Sequence, residues 1–348
     1  MQTNASHKEY NRLNHLDFLK GLAIFLVVMG HFLAWTFPSN VDRGYYPLFV
    51  KHVIYTFHMP LFFFVSGYLV DLKKKEWSLK TGMQLIWKRF RSLLIPGGGF
   101  FVLLWMRTGT LYFEWFLKVL FEMYLVFVLI RVLSHYLMKK TAMEIALHLV
   151  MIVVLFIVKS NIRGTLFSDV TVFSSFCDFY PYFFLGYICC KFQLNEYVMS
   201  KNWIYSFCLV AWCILFFMPR NIHFPGSGYV AAMSAIVVCW KLAQGVNFKE
   251  NSFVVRNLLL WGKGSLAIYL LSPMIIPSFP ELGILFINSD AYEPFGNMTK
   301  SIHVTTIFLQ MVTGVVISIY VCVVCTFLRK IIQKSKCLSA VLLGETLK

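Results

Sequence analysis

Residues 16–37 read LDFLKGLAIFLVVMGHFLAWTF, an apolar run long enough to cross a bilayer as a helix. Lys20 and His31 lie within this run, eleven residues apart. At about 100° per residue, eleven residues make three turns plus about 20°, so both side chains share one helix face, about 16 Å apart along the axis. Ionisable residues at membrane depth are costly and mark functional sites. The stretch therefore predicts a membrane helix that carries part of a functional site.

The composition of the whole chain agrees with a membrane location. Its 348 residues are 58% hydrophobic and only 14% charged, with a mean hydropathy of +0.68, whereas soluble proteins carry about 25% charged residues. Apolar runs recur from residue 16 to residue 328, which predicts an all-α, polytopic helix bundle. Residues 1–14 are polar, so we expect no cleavable signal peptide and a first span that acts as its own insertion signal.

The apolar runs predict about ten transmembrane helices. They lie at residues 16–37, 48–70, 93–107, 112–133, 142–158, 173–190, 203–218, 229–242, 258–276 and 304–328. The sequence has no internal repeat and no soluble domain. We therefore expect one membrane domain over residues 16–330, between a short amino-terminal tail at 1–15 and a short carboxyl-terminal tail at 331–348.

Basic residues are concentrated in loops of one parity, which predicts the orientation of the chain. The loop after the second span holds Lys73, Lys74, Lys75, Lys80, Lys88, Arg89 and Arg91. By the positive-inside rule, both termini are cytoplasmic. Lys20 then lies near the inner face and His31 in the outer half of the membrane. These loops, facing anionic lipid head groups, account for the net charge of +16, so we expect no nucleic-acid partner.

The cysteines do not predict a disulfide framework, because most of the nine lie within apolar runs. Cys322 and Cys325 have the spacing of a redox pair, but within lipid they are better interpreted as small hydrophobic residues. The sequence contains no zinc-ligand spacing, no glycine-rich phosphate loop and no Gly-x-Ser-x-Gly motif. We therefore expect no metal site.

His31 is the leading candidate for catalysis, because an imidazole changes protonation near neutral pH and can take a proton from a hydroxyl. The alternative is a histidine that only hydrogen-bonds to a neighbouring helix. Lys20 on the same face, with Asp17 close by in sequence, favours the catalytic interpretation.

The second predicted span contains a further group of ionisable residues, Lys51, His52 and His58. Lys51 and His58 are seven residues apart and so lie near one helix face. Pro60 leaves the carbonyl of residue 56 without its helical hydrogen bond, which predicts a local opening of the helix. His58 is then placed to pair with His31, as a ligand or as a base.

A basic segment, Lys88-Arg89-Phe90-Arg91, follows the second span. Arginine guanidinium groups bind phosphates in a bidentate manner, and a phosphorylated donor from the cytosol would arrive at this face. The alternative is an ordinary basic anchor at the inner membrane surface.

Together these residues resemble the membrane-bound acyltransferase family 3. Members of that family open with a basic residue, ten further residues and a histidine, which correspond to Lys20 and His31. The second helix is similar at FHMPLFFFVSGY, residues 57–68, and the arginine pair at Arg89 and Arg91, followed by LLIP. A late helix of the family often reads Tyr-Leu-x-His, whereas residues 269–272 are YLLS, so any role of that histidine is absent or passes to Ser272.

The resemblance implies an integral O-acyltransferase of the cell (inner or plasma) membrane. The opening LDFLKG is most similar to the fucose O-acetylase branch. Such an enzyme moves an acyl group, in the simplest case acetyl, from cytoplasmic acyl-CoA to a hydroxyl of a glycan or lipid-linked sugar, and acyl-CoA is a substrate rather than a bound cofactor. The implied catalytic residues are His31, Lys20, His58 and Asp17, and the implied donor-binding residues are Arg89, Arg91 and Lys88.

Two other functions are compatible with the sequence. A polysaccharide exporter or flippase would use the same polar residues to line a transport path. A lipid-binding structural component is also possible, but it leaves the alignment of Lys20 with His31 unexplained.

Overall fold

The computed structural model describes residues 2–36, 49–72, 77–109, 114–137, 141–162, 173–197, 201–218, 224–248, 252–279, 281–282 and 304–345. Every regular element in these ranges is helical, which confirms the predicted all-α class. The helices are α1 (Gln2–Trp35), α2 (Phe49–Val70), α3 (Leu79–Arg89), α4 (Ile95–Thr108), α5 (Trp115–Leu137), α6 (Thr141–Ile162), α7 (Phe173–Lys191), α8 (Leu194–Tyr197), α9 (Asn202–Phe217), α10 (Ser227–Gln244), α11 (Phe253–Lys263), α12 (Ser265–Ile275), α13 (Val304–Ile332) and α14 (Lys336–Leu343). A π-helical segment, Phe90–Leu94, joins α3 to α4.

Among the described residues, four helices are long and apolar enough to cross a membrane. They are α1, α2, α6 and α13, and the pair formed by α11 and α12 passes the same test as one bent span. The protein is therefore a multi-pass membrane protein. Helices α4, α5, α7, α9 and α10 lie where the other spans were expected. The count of ten spans and the cytoplasmic position of both termini stay predictions.

The ninth predicted span, residues 258–276, is not one straight helix. Helices α11 and α12 meet at Gly264 with a bend of 93°. Sharp bends in helices commonly occur at adjacent Gly and Ser residues, and Gly264 is followed by Ser265. The direction of α11 is fixed by α1, because a Cβ atom on Gly262 would lie 1.8 Å from the carbonyl oxygen of Asp17.

Pro60 does not interrupt α2, although the sequence predicts a local opening there. The helix runs unbroken from Phe49 to Val70 through the buried proline. Proline removes a single main-chain hydrogen bond, and packing on both sides of the helix holds the remaining turns in place.

The helices form two compact units. The first unit comprises Met1–Val65 and Gln193–Leu328, and the second comprises Ser66–Phe192 and Arg329–Lys348. In the first unit, buried Phe32 and Leu33 of α1 pack with Val50 and Ile54 of α2. Ile276, which directly follows α12, and Ile307, Leu309 and Ile317 of α13 add partly buried apolar side chains to this core. The core therefore holds the carboxyl-terminal half of α1, which carries His31, against α2.

In the second unit, the end of α2 lies directly on α7. A Cβ atom on Gly67 would lie 1.8 Å from the carbonyl oxygen of Phe183, so the two main chains are in contact. The hydroxyl of Tyr124 on α5 donates a hydrogen bond to the carbonyl of Ser66 at 3.4 Å. These contacts tie α2, α5 and α7 together beside the basic segment.

Candidate active site

The first unit contains the two histidines that the sequence singles out. His31 lies on α1, and its ring is nearly parallel to that of Trp35, with centroids 4.8 Å apart and planes at 16°. Its Nδ1 atom is buried and has no hydrogen-bond partner among the described residues. A buried polar atom without a partner is rare in folded proteins, and a catalytic role is one of the few reasons to retain it.

His58 lies on α2, and one of its two ring nitrogens makes a hydrogen bond. Its Nδ1 lies 2.8 Å from the carbonyl oxygen of Ile54. Because a carbonyl oxygen only accepts, Nδ1 carries the proton in this bond, and Nε2 of the neutral ring keeps its lone pair. The rings of His31 and His58 are close enough to interact electrostatically. The structure thus brings together the two histidines that were expected to act as a pair.

Tyr55 completes this group of side chains and was not predicted from the sequence. Its ring lies 4.9 Å from that of His58, and the ammonium group of Lys51 lies 5.5 Å from the same tyrosine ring. Gly30, next to His31, makes room for this ring, because a Cβ atom there would lie 2.8 Å from Cε2 of Tyr55. Tyr55 lies three residues before His58, and residues at this spacing are neighbours on a helix surface, so the sequence did contain a signal for this contact.

Lys20 and Asp17 form an ion pair on α1. The Nζ atom of Lys20 lies 2.6 Å from Oδ1 of Asp17, and both side chains are partly buried. The charge of Lys20 is therefore balanced within its own helix turn, which supports a positioning role for the pair rather than a direct chemical one.

Ser272, which stands where a histidine was expected from the resemblance, is completely buried on α12. Its hydroxyl donates to the carbonyl of Tyr269, one turn earlier, at 3.3 Å. Among the described residues, no three His, Cys, Asp or Glu side chains gather as a metal site requires.

The basic segment lies in the second unit, at the junction of α3 and the π-helical segment. The guanidinium carbon of Arg89 lies 4.3 Å from the centroid of the Tyr124 ring. The Nε atom of Arg89 is buried and has no hydrogen-bond partner among the residues described. An arginine held by an aromatic face, with a donor left unsatisfied, is suited to receive an anionic ligand.

Arg91 and Lys88 are more exposed than Arg89. The guanidinium carbon of Arg91 lies 5.6 Å from the ring of Trp87, which itself stacks on Phe90 at 5.5 Å. The main chain between the two arginines is π-helical, and π-helical turns are rare and occur frequently at functional sites. Sequence reasoning found the arginines but missed Tyr124, which lies 35 positions further along the chain.

A buried ionic cluster holds three helices of the second unit together. The carboxylate of Glu144 on α6 accepts hydrogen bonds from Arg131 on α5 and from Lys191 on α7, the latter at 2.7 Å. Tyr187 hydrogen-bonds to the same carboxylate, and Asp71 lies 3.6 Å from Arg131. The cluster balances two cations against two carboxylates and was not predicted from the sequence.

Comparison with protein families identifies the chain. The acyltransferase domain model of acyltransferase family 3 matches residues 13–327, nearly the whole sequence. The chain belongs to this family. It is therefore an acyltransferase and an integral membrane enzyme, as the sequence resemblance implies. His31, His58, Arg89 and Arg91 all fall within the matched region.

Two curated relatives of this acyltransferase share short segments with it. Nodulation protein NolL of Sinorhizobium fredii is 46% identical over 61 residues, which are 18% of this chain and 16% of the relative. Nodulation protein NolL of Mesorhizobium japonicum is 33% identical over 105 residues, 30% of this chain and 26% of the relative. The chain thus spans about a sixth and about a quarter of these proteins. No solved structure matches this acyltransferase.

Proposed function

We propose that this acyltransferase transfers an acyl group, in the simplest case acetyl, from cytoplasmic acyl-CoA to a hydroxyl of a sugar in an exported or cell-envelope glycan. His31 is the general base, and His58 is its partner. Arg89 and Arg91, with Lys88, bind the phosphate groups of the donor. The Lys20–Asp17 pair positions the inner half of α1.

The observation that carries the proposal is the buried Nδ1 of His31, which has no hydrogen-bond partner among the described residues and lies within electrostatic range of His58. A general base needs a lone pair within hydrogen-bond reach of the hydroxyl that it deprotonates. Stacking on Trp35 fixes the plane of the imidazole ring. Because His58 keeps its own Nδ1 proton bound to Ile54, its free Nε2 can accept a hydrogen bond and support the charge that develops on His31.

The transfer step balances without a further reactant. The sugar oxygen attacks the thioester carbonyl carbon while His31 takes the hydroxyl proton, and the carbon–sulfur bond breaks. His31 then returns the proton to the departing thiolate, so the products are the O-acyl sugar and free coenzyme A. Transfer through a covalent acyl-enzyme would need an additional nucleophile, and the proposal does not require one.

Support for a phosphorylated donor comes from the environment of Arg89. Its guanidinium lies on Tyr124, and its Nε is buried without a partner among the described residues. An inner-surface anchor would keep its charged atoms in contact with water and head groups. The partial burial of Arg89 therefore favours a ligand site over a topological anchor.

The membership of an acyltransferase family favours this enzyme over an exporter or flippase of similar helix pattern. The outward acceptor side and the sugar acceptor follow from the sequence resemblance to the fucose O-acetylase branch and from the positive-inside orientation.

The test is an assay of membranes with labelled acetyl-CoA and cell-envelope glycan. We expect His31→Ala to lower kcat by about 10²- to 10⁴-fold, the usual contribution of a general base. His135→Ala on α5 is the matched control, because this partly exposed histidine lies outside the proposed site. Purified protein in detergent should bind acetyl-CoA equally well with and without the His31 substitution.

Label transfer at the wild-type rate in His31→Ala would exclude His31 as the base. Unchanged affinity for acetyl-CoA in an Arg89→Ala, Arg91→Ala double variant would separately exclude the donor site.

A further inference from the structure

The carboxyl-terminal segment of the chain packs onto the helix that follows the donor arginines. Helix α14 lies against α4 at Gly99, where a Cβ atom would lie 3.0 Å from the carbonyl oxygen of Val341. The same Cβ would lie 3.1 Å from a methyl group of Leu342. The two helices are therefore in contact at the level of the main chain.

Gly344, which ends α14, rests on the π-helical segment itself. It has a left-handed conformation, with φ at +62°. A Cβ atom on Gly344 would lie 2.7 Å from the carbonyl oxygen of Arg91, 2.8 Å from the Cα atom of Ser92 and 2.9 Å from Pro96. Both the conformation and the space require glycine here. The chain end thus touches the main chain of the second donor arginine.

Glu345 fastens this chain end to the helix that precedes it. Its carboxylate accepts hydrogen bonds from Arg329 at 2.9 Å, from Gln333 at 3.0 Å and from Ser339 at 3.1 Å. Burial acts to raise the pKa of this carboxyl group, but the hydrogen bonds from Arg329 and Gln333 outweigh it and hold the pKa below its ordinary value. Glu345 is therefore ionised at neutral pH and bound at both oxygens.

The π-helical segment needs such support. The amide of Ile95 donates to the carbonyl of Phe90, five residues earlier, and this hydrogen-bond pattern is less favourable than that of an α-helix. The segment determines the relative positions of Arg89 and Arg91. If it relaxed to α-helical geometry, the rotation between the two guanidinium groups would change.

We propose that Gly344 and Glu345, together with α14, form a carboxyl-terminal latch that positions the donor-binding arginines. The latch holds the π-helical segment in the geometry in which Arg89 and Arg91 bind one anionic donor, the phosphate groups of acyl-CoA. Its residues act through the arginines and do not touch the substrate. The inference rests on the proposed function of Arg89 and Arg91.

The test compares two glycines of equal conformation. Gly109 at the end of α4 has a φ of +67°, close to that of Gly344, but a Cβ atom there meets no described atom within 4 Å. Gly344→Ala and Gly109→Ala therefore carry the same left-handed strain, and only the former collides with Arg91. We expect Gly344→Ala to raise the KM for acetyl-CoA about tenfold, the equivalent of one charge-assisted hydrogen bond, while the KM for the acceptor stays unchanged. Gly109→Ala should leave both values unchanged.

Two further variants keep the test independent of folding. Gly99→Ala introduces the milder contact with Val341 on the other side of the latch, and Gly98→Ala, with no described atom within 4 Å of the new Cβ, is its control. Glu345→Gln weakens the bond to Arg329 without a change of shape. We expect Gly99→Ala and Glu345→Gln to raise the KM for acetyl-CoA by severalfold, and the dissociation constant of acetyl-CoA should rise in parallel.

The latch is excluded if Gly344→Ala and Gly109→Ala give the same KM for acetyl-CoA, or if Gly344→Ala lowers kcat and raises both KM values together. If the Arg89→Ala, Arg91→Ala double variant still binds acetyl-CoA normally, the donor site itself is wrong. If that double variant loses binding while all the latch variants keep it, only the latch is wrong.

Discussion

At the scale of single residues, Arg89 shows why the chemical type of a cation matters. Its planar guanidinium lies 4.3 Å from the ring centroid of Tyr124. A lysine would preserve the charge but would lose both the flat contact with the ring and the bidentate geometry for phosphate. Sequence patterns located Arg89, but only the fold shows the aromatic surface beneath it.

We expect Arg89→Lys to raise the KM for acetyl-CoA about tenfold, because roughly one charge-assisted hydrogen bond is lost. Steady-state kinetics with labelled acetyl-CoA would measure this change. Lys80→Ala on the same helix is the control, since Lys80 is exposed and lies about two and a half turns away from Arg89. Equal KM values for Arg89→Lys and the wild type would show that acetyl-CoA binding depends only on the positive charge at residue 89 and not on the guanidinium geometry.

His31 and His58 also show that sequence patterns can locate a residue without revealing its contacts. The sequence predicted each of them from helical spacing and from its position within an apolar run. Their tautomers depend on hydrogen bonds that no pattern reveals. The bond from His58 to Ile54 gives one ring a fixed proton donor, whereas Nδ1 of His31 has no partner in the described part of the chain, so the two rings are suited to different tasks.

At the scale of helices, α6 and α7 are joined by two ion pairs in different surroundings. Glu144, 5% exposed, is paired with Arg131 and Lys191. Asp178, 42% exposed, is paired with Lys159 between the same two helices. Loss of one partner from a buried pair leaves a desolvated charge, whereas an exposed pair contributes little.

We therefore expect Glu144→Gln to lower the free energy of unfolding by about 3–5 kcal/mol, and Asp178→Asn by less than about 1 kcal/mol. Chemical or thermal unfolding of the purified protein in one detergent would compare the two variants directly. Equal losses of stability in the two variants would contradict the structural importance of the buried cluster.

The bend between α11 and α12 also depends on packing between helices. Hydropathy alone predicted a single span over residues 258–276, because both helices are apolar. The joint at Gly264 and the contact of Gly262 with α1 depend on main-chain packing between distant segments. A hydropathy profile contains no information about such a contact.

At the scale of the whole molecule, the orientation in the membrane stays a prediction of the basic loops. It places both termini in the cytoplasm. Cys337 on α14 is exposed and offers a natural probe of the carboxyl-terminal side.

In a variant that keeps Cys337 as its single cysteine, we expect a membrane-impermeant maleimide to label the protein only after the cells are permeabilised. Addition of a cysteine in the predicted outer loop, for example Asp290→Cys, provides the control, because this site should react in intact cells. Labelling of Cys337 in intact cells would place the carboxyl terminus outside and reverse the proposed donor and acceptor sides.

The sequence by itself determined the all-α membrane class and the acyltransferase family, and it predicted His31, His58, Arg89 and Arg91 as site residues, because hydropathy, helical spacing and short motifs are local properties of the chain. Only the tertiary structure decided the bend at Gly264, the tyrosine ring under Arg89, the buried cluster around Glu144 and the contact of the chain end with Arg91. Each of these joins residues far apart in sequence, and the contact is possible only after distant helices have packed.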